Sequence, residues 1–199
     1  MTTLLLASGN PGKQHELRAL LRALPLELRT PQEIDLHIRV EEIGETYAEN
    51  ARLKAQRYAE HSGLWTLADD SGLEVDALGG APGMRSARIA GPARSDRDRR
   101  HLLLELLQPH PRPWTARFRC WVALVGPVGE VDSAEGICEG EIIPEERGTG
   151  GFGYDPIFLV QNSTLTMAEL SMAQKNRISH RARAIHALMP TLKHKLKIT

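Results

Sequence analysis

The hydrophobic period changes within the first twenty-five residues. Leu4 to Ala7 is a continuous apolar run, broken at Ser8-Gly9-Asn10-Pro11-Gly12-Lys13, and beyond the break Leu17, Leu20, Leu21 and Leu24 recur at i, i+3, i+4 and i+7. The first pattern is a short buried strand, and the second is one face of a helix that Pro25 ends. A chain that opens as strand, glycine loop and helix is committed to an α/β layer arrangement.

The rest of the chain extends that plan. Thr46 with Glu49 three residues later is a capping box, and the helix it opens passes Ala51, Ala55, Tyr58 and Ala59 to a glycine stop at Gly63. Leu64 to Ala68 reads as a buried strand that delivers Asp69 and Asp70 to its carboxyl end. The stretch "ALGGAPGMRSARIAGPARSD" is too rich in glycine and proline for regular structure, and a helix follows from Ser95 through Leu107. Ala116 to Val125 and Glu130 to Ile143 flank Gly126-Pro127-Val128-Gly129 as a hairpin, with Phe118, Cys120, Val122 and Leu124 on one face. A glycine-rich loop, "GTGGFGYDP", leads to a strand from Ile157 to Val160, and helices fill most of the remainder. No internal repeat, low-complexity tract or linker divides the chain.

Charge and cysteine usage narrow the function. Lys plus Arg equals Asp plus Glu at 25 each over 199 residues, so no whole-protein field awaits a nucleic acid, and an anionic partner must be met locally. Cys120 and Cys138 lack both a disulfide framework and metal-type spacing, which suits a reducing cytoplasm. No basic region precedes the first apolar residues and no apolar run approaches the roughly 18 residues of a membrane span. The expectation is an untargeted cytoplasmic protein with no membrane or nucleic-acid partner.

Four clusters carry possible chemistry, and each has a plain structural reading beside the functional one. In "SGNPGK", Asn10 suits an N-cap, Pro11 the first helical position, and Lys13 lies one turn in; this is a phosphate seat or an ordinary strand-to-helix turn, and the P-loop spacing is absent. Asp69 and Asp70, with Glu41 and Glu42 upstream, offer hard oxygen ligands that suit Mg²⁺, or else a capped turn and solvated acids. In "GTGGFGYDP", Phe152 and Tyr154 offer flat faces for a base, although such loops are also common as turns. In "KNRISHRARA", Lys175, His180 and Arg181 are hydrogen-bond donors able to read carbonyl oxygens, with Ser179 available as an N-cap, while Arg183 fits a basic helix surface. Lys193, Lys195 and Lys197 suit the carboxyl end of a helix.

Together these clusters are the parts of a nucleoside triphosphate enzyme. The sequence resembles the inosine triphosphate pyrophosphatase family of house-cleaning dITP/XTP diphosphatases. The likeness rests on "SGNPGK" (8–13), "ETYAENARLKA" (45–55), "LADDSGLEVDALGGAPGMRSAR" (67–88), "GTGGFGYDPIF" (148–158) and "KNRISHRARA" (175–184), in family order over nearly the whole chain.

The resemblance implies one domain over residues 1–199: an elongated mixed α/β sheet flanked by helices, with two lobes around a nucleotide cleft. It also implies Mg²⁺-dependent hydrolysis of nonstandard purine triphosphates (ITP, dITP, XTP) to monophosphate and pyrophosphate, by a homodimer. Carried over by position, triphosphate contacts fall on Ser8, Gly9, Asn10, Pro11, Gly12, Lys13, Lys54 and Ser71. Metal carboxylates fall on Glu42 and Asp70, with Asp69 beside them, and the general base on Asp70. Base contacts fall on Phe152, Gly153, Tyr154, Asp155, Lys175, His180 and Arg181. The departures are Ile43 in place of Thr, Arg85 and Ile89 in place of aromatics, and Ala173-Gln174 in place of two acids. Two rivals fit parts of the pattern: a septum-type pyrophosphatase that prefers pyrimidine or modified deoxynucleotides, and a non-hydrolytic nucleotide- or RNA-binding module. The paired acids and the balanced charge speak against the second.

Overall fold

A computed structural model of the chain describes residues 2–91 and 93–198. Its elements in chain order are β1 (Thr2–Leu6), α1 (Pro11–Leu21), β2 (Leu26–Arg29), α2 (Tyr47–Ser62), β3 (Trp65–Val75), β4 (Pro82–Gly83), α3 (Asp96–Leu107), β5 (Trp114–Val125), β6 (Val131–Ile142), β7 (Phe158–Val160), α4 (Met172–Ile178) and α5 (His180–Leu196), with three short 3-10 turns between them. The strands form one seven-stranded mixed sheet in the order β2-β1-β3-β5-β6-β7, with β4 on β3. β1 pairs in parallel with β2 and β3, whereas β4 on β3 and β7 on β6 are antiparallel. The expected mixed α/β sheet with flanking helices is therefore present.

Three boundaries differ from the sequence reading. α1 stops at Leu21, leaving Leu24 outside it, and Leu26–Arg29 after Pro25 forms a strand that its short, half-charged sequence did not announce. The more consequential difference is β3, which does not end at Ala68 but runs eleven residues to Val75. Asp69 and Asp70 thus lie within a strand rather than at its end. The strand continues through Ser71 and Gly72 despite their turn-forming types, and the surrounding cations, described below, make two buried carboxylates tolerable in mid-strand. The capping box at Thr46 with Glu49, the left-handed Gly63 stop and the Ser95 start of α3 are all found.

Contacts divide the chain into two compact units, one of Met1–Asp70, Cys120–Gly136 and His180–Thr199, the other of Ser71–Arg119 and Ile137–Ser179. The first unit packs two different layers on its sheet. Leu4, Leu6, Leu67, Cys120, Val122 and Leu124 face the leucine-rich sides of α1 and α5. Ala7, Ala68, Ala123 and Val125 face Ala51, Ala55 and Ala59 of α2. Alternation along each strand produces this division, since successive side chains point to opposite faces. Alanine meeting alanine brings α2 close to the sheet, and Lys54 beside Ala55 comes with it.

Gly136 in β6 shows a similar close approach. A Cβ there would collide with the carbonyl oxygen of His180, so glycine lets α5 begin hard against the strand. The second unit has its own core, in which Leu73, Val75, Leu103, Phe118, Tyr154 and Phe158 are members and the rings of Phe118 and Phe158 lie 4.5 Å apart.

Candidate active site

In the first unit the "SGNPGK" segment is a true helix start. Asn10 has extended backbone and its side chain accepts from the Lys13 N–H at 3.1 Å, Pro11 opens the helix, and the Asn10 N–H donates to Ser8 Oγ at 3.3 Å. Gln14 donates to the Ser8 carbonyl at 2.5 Å, folding the loop back on α1. Gly9, Asn10 and Pro11 are exposed, Gly12 is partly so, and backbone N–H groups stand at the positive end of the helix.

The two aspartates point to different layers. Asp69 lies on the α1/α5 face, where its Oδ2 meets Lys13 Nζ at 3.0 Å and the Arg181 guanidinium at 2.9 and 3.2 Å, with Cys120 Sγ at 3.9 Å. Arg181 also donates to Glu16 Oε2, and all three side chains are buried. Burial would raise the Asp69 pKa, yet Lys13, Arg181 and Lys54 hold it well below the usual carboxylate range. Burial likewise works against the Arg181 charge, but Asp69 and Glu16 more than restore it. The Cys120 thiol, buried beside an anion, is pushed up to about 12 and stays protonated.

Asp70, one residue on, faces the α2 layer. There Lys54 Nζ pairs with Glu42 Oε1 at 2.8 Å and donates to the Asp69 carbonyl at 3.0 Å. Burial raises the Asp70 pKa, Lys54 and Lys13 offset part of the rise, and Glu42 and Asp69 add to it. Lys54 shows the reciprocal effect: burial pulls its ammonium down, but Asp69, Glu42 and Asp70 together carry it above its ordinary value.

This geometry sorts the carboxylates proposed for a metal. Among the described residues no three His, Cys, Asp or Glu side chains gather as a metal cage. Glu42 and Asp70 lie on one face around Lys54, and two hard oxygen donors plus water and phosphate oxygens suit Mg²⁺. Asp69 fits less well than the sequence suggested, because its Oδ2 is held by two cations; only its buried Oδ1, which has no hydrogen-bond partner, remains.

In the second unit the glycine loop is built around Asp155. Its Oδ2 accepts from Lys175 Nζ at 2.5 Å and from the Phe152 N–H at 2.9 Å, and both charged side chains are buried. Lys175 Nζ also stands 5.4 Å from the centre of the Phe152 ring. Tyr154 corrects the sequence reading: its ring is buried in the core and its hydroxyl donates to the Ser86 carbonyl at 2.8 Å, so it props the loop from beneath. Phe152 is the partly exposed ring. Gly153 has both backbone groups occupied, by Asp96 and Arg100 of α3. Ser71 follows Asp70 in β3 and is half-buried.

The expected site residues thus fall into two sets. Ser8 to Lys13, Glu42, Lys54, Asp69, Asp70, His180 and Arg181 are in the first unit, and Ser71, Phe152 to Asp155 and Lys175 are in the second. His180 and Arg181, expected to read the base, are buried in the first unit, and Arg181 binds Asp69 and Glu16. Sequence reasoning missed Glu16, Asp96 and Arg100. Glu16 left a trace, lying one helical turn after Lys13 and next to the apolar stripe of α1. The cavity of about 790 Å³ between Trp65, Glu130 and the Lys193–Lys197 tail lies toward the other ends of β3 and α5 from Asp69 and Arg181, and takes no part in this chemistry.

Comparison with known proteins agrees with the fold. A dITP/XTP pyrophosphatase of Desulforamulus reducens is 48% identical over 190 residues, covering 95% of this chain and 94% of that protein. The solved structure of a HAM1 protein from Coxiella burnetii matches with a TM-score of 0.87 at 41% identity, covering 98% of this chain and all of the other. The Ham1 protein of Staphylococcus aureus matches with a TM-score of 0.85 at 39% identity over 98% of this chain and all of the other. The Ham1 family model spans residues 4–191, and the chain belongs to the Ham1 family.

Proposed function

We propose that the chain hydrolyses nonstandard purine nucleoside triphosphates (ITP, dITP, XTP) to the monophosphate and pyrophosphate, with Mg²⁺ as cofactor. The observation that carries this reading is the convergence, on one face of β3, of Asp70 and Glu42 around Lys54, beside an α1 N-terminus bearing Lys13. The names of the 42–48% identical relatives support it.

The triphosphate is taken by Ser8, the backbone N–H groups of Gly9, Asn10 and Gly12, Lys13, Lys54 and Ser71, since helix N-termini and ammonium groups stabilise phosphate charge. Glu42 and Asp70 would hold Mg²⁺, which when bound screens the phosphates and acidifies a coordinated water. Asp70 accepts the proton of the attacking water, standing as a buried carboxylate beside Lys54 and Glu42. Lys13 and Lys54 hold the leaving pyrophosphate. Phe152 stacks on the base, and Lys175, locked by Asp155, donates to it, which favours a 6-oxo purine over adenine's amino group. His180 and Arg181 act from the first unit, Arg181 chiefly by fixing Asp69. The reaction belongs in a reducing cytoplasm, in keeping with two buried free cysteines, and the working form is a homodimer of single-domain chains.

The test is incubation with ITP, XTP, GTP, ATP and dTTP, with Mg²⁺ or EDTA, assaying pyrophosphate and orthophosphate separately. Mg²⁺-dependent pyrophosphate from ITP and XTP, with little from ATP, is the expected result. Orthophosphate as first product rules out attack at the α-phosphorus, and preference for dTTP rules out the purine reading.

A further inference from the structure

Gly153 lies between Phe152 and Tyr154 with a left-handed φ of 62°, and a Cβ there would meet nothing within 4 Å. Glycine is needed for the backbone angle, and that freedom makes the position a soft joint unless something outside the loop holds it. α3 holds it. The Gly153 N–H donates to Asp96 Oδ2 at 2.7 Å, and the Gly153 carbonyl accepts from Arg100 Nη1 at 2.8 Å. Asp96 and Arg100 are four residues apart and so share one face of α3. Each grip is fastened in turn. Asp96 is the first residue of a helix whose start is fixed by the Ser95–Asp98 capping box, and the other nitrogens of Arg100 lie on Glu146 at 2.9 Å each.

The consequence falls on Phe152. Tyr154 is anchored in the core by Ser86, so the chain after Gly153 is fixed. Holding the Gly153 N–H fixes the plane of the Phe152–Gly153 peptide, and with it the direction of the Phe152 ring and its spacing to Lys175. We propose that Asp96 and Arg100 are positioning residues for base recognition, clamping Gly153 so that Phe152 and Lys175 present one fixed arrangement to the purine. This rests on the assignment of Phe152 and Lys175 to the base.

The test compares wild type with Asp96→Ala, Asp96→Asn, Arg100→Ala and Asp98→Ala, all as the whole protein with Mg²⁺. KM and kcat are measured for ITP and ATP, and Gly153 amide exchange is measured by NMR without nucleotide. Asp96→Ala and Arg100→Ala are expected to lower kcat/KM for ITP about tenfold, chiefly through KM, and to reduce the ITP-to-ATP ratio, the loss of one charge-assisted hydrogen bond being of that size. Asp96→Asn keeps an acceptor for the amide and should stay within about twofold of wild type, since the bond survives without the charge. Asp98→Ala loosens the helix start but leaves both bonds to Gly153, so it should lower Tm and reduce the ratio less than Asp96→Ala does.

An unchanged ratio in Asp96→Ala overturns the proposal, as does Asp96→Asn failing as badly as Asp96→Ala, which would assign the effect to charge at the helix start. If wild type itself does not distinguish ITP from ATP, the base assignment fails. Gly153 exchange then still judges the clamp: equal exchange in Asp96→Ala and wild type removes it.

Discussion

Asp69 and Asp70 are the same residue type on consecutive positions of one strand, and the two faces of the sheet make opposite use of them. On the α1/α5 face, Lys13 and Arg181 converge on Asp69 and suppress its pKa, so ionisation there stabilises the fold. On the α2 face, burial outweighs the help of Lys54 and raises the pKa of Asp70, so ionisation there costs stability. A paired buried charge is a structural member, whereas an underpaired one at a site is a reactive group. The strand's period of two is what allows both within one dipeptide.

The largest effect expected from breaking this contrast is on Asp70. Asp70→Ala should lower kcat by about 10⁴-fold, the upper range for removal of a proton acceptor, with nucleotide binding largely kept and Tm equal to or above wild type. Near-normal turnover would remove Asp70 from the reaction. Asp69→Asn should act in the other sense, costing about 3 kcal/mol in urea unfolding because it leaves the buried Arg181 and the partly buried Lys13 short of their partner. An Asp69→Asn protein as stable as wild type would show that the cluster is not structural.

The same two substitutions should part company with pH, measured in EDTA. The folded-state pKa of Asp69 is depressed, so its contribution is present above the unfolded carboxylate value near 3.9 and is lost as pH falls through the folded pKa. The deficit of Asp69→Asn should therefore shrink in acid. The folded-state pKa of Asp70 is raised, so its contribution is fully present in acid and lost as pH rises through the folded pKa. Asp70→Asn should match wild type at low pH and gain on it toward neutrality. Parallel pH profiles for the two variants would refute the assignment of opposite environments.

What could be read in the sequence follows from range. The α1 start, the α2 capping box, the Gly63 stop and the start of α3 are local contests between backbone and near side chains, and the residues that decide them lie within four positions. In sequence the two acids look like the end of β3, because their neutralisers, Lys13, Lys54 and Arg181, come from three other elements up to 112 residues away. Tyr154 and Arg181 carry groups that suit a ligand, yet both are buried and bonded within the protein, through contacts 68 and 112 residues away in the chain. Asp96 and Arg100 reach Gly153 across 57 and 53 residues, and nothing near them marks that reach.

Smaller changes probe each face without removing its acid. Glu16→Gln leaves Arg181 an acceptor but only one anion, and should cost about 1 kcal/mol, the amount by which a hydrogen bond to a charged group exceeds one to a neutral group. On the other face, Thr46→Ala removes the side chain that accepts the Glu49 N–H at 3.1 Å and should cost about 1 kcal/mol, the usual worth of an N-cap. Tyr47 and Asn50 are buried in the same first turn and Asn50 Oδ1 accepts from the Gly44 N–H at 2.8 Å, so the turn keeps other anchors, and Lys54 lies two turns further in. The cost should therefore appear in Tm while KM for the triphosphate stays near wild type. A Thr46→Ala protein with unchanged Tm but a several-fold higher KM would instead place the cap in direct control of Lys54 and Glu42, and would make the α2 face the less rigid of the two.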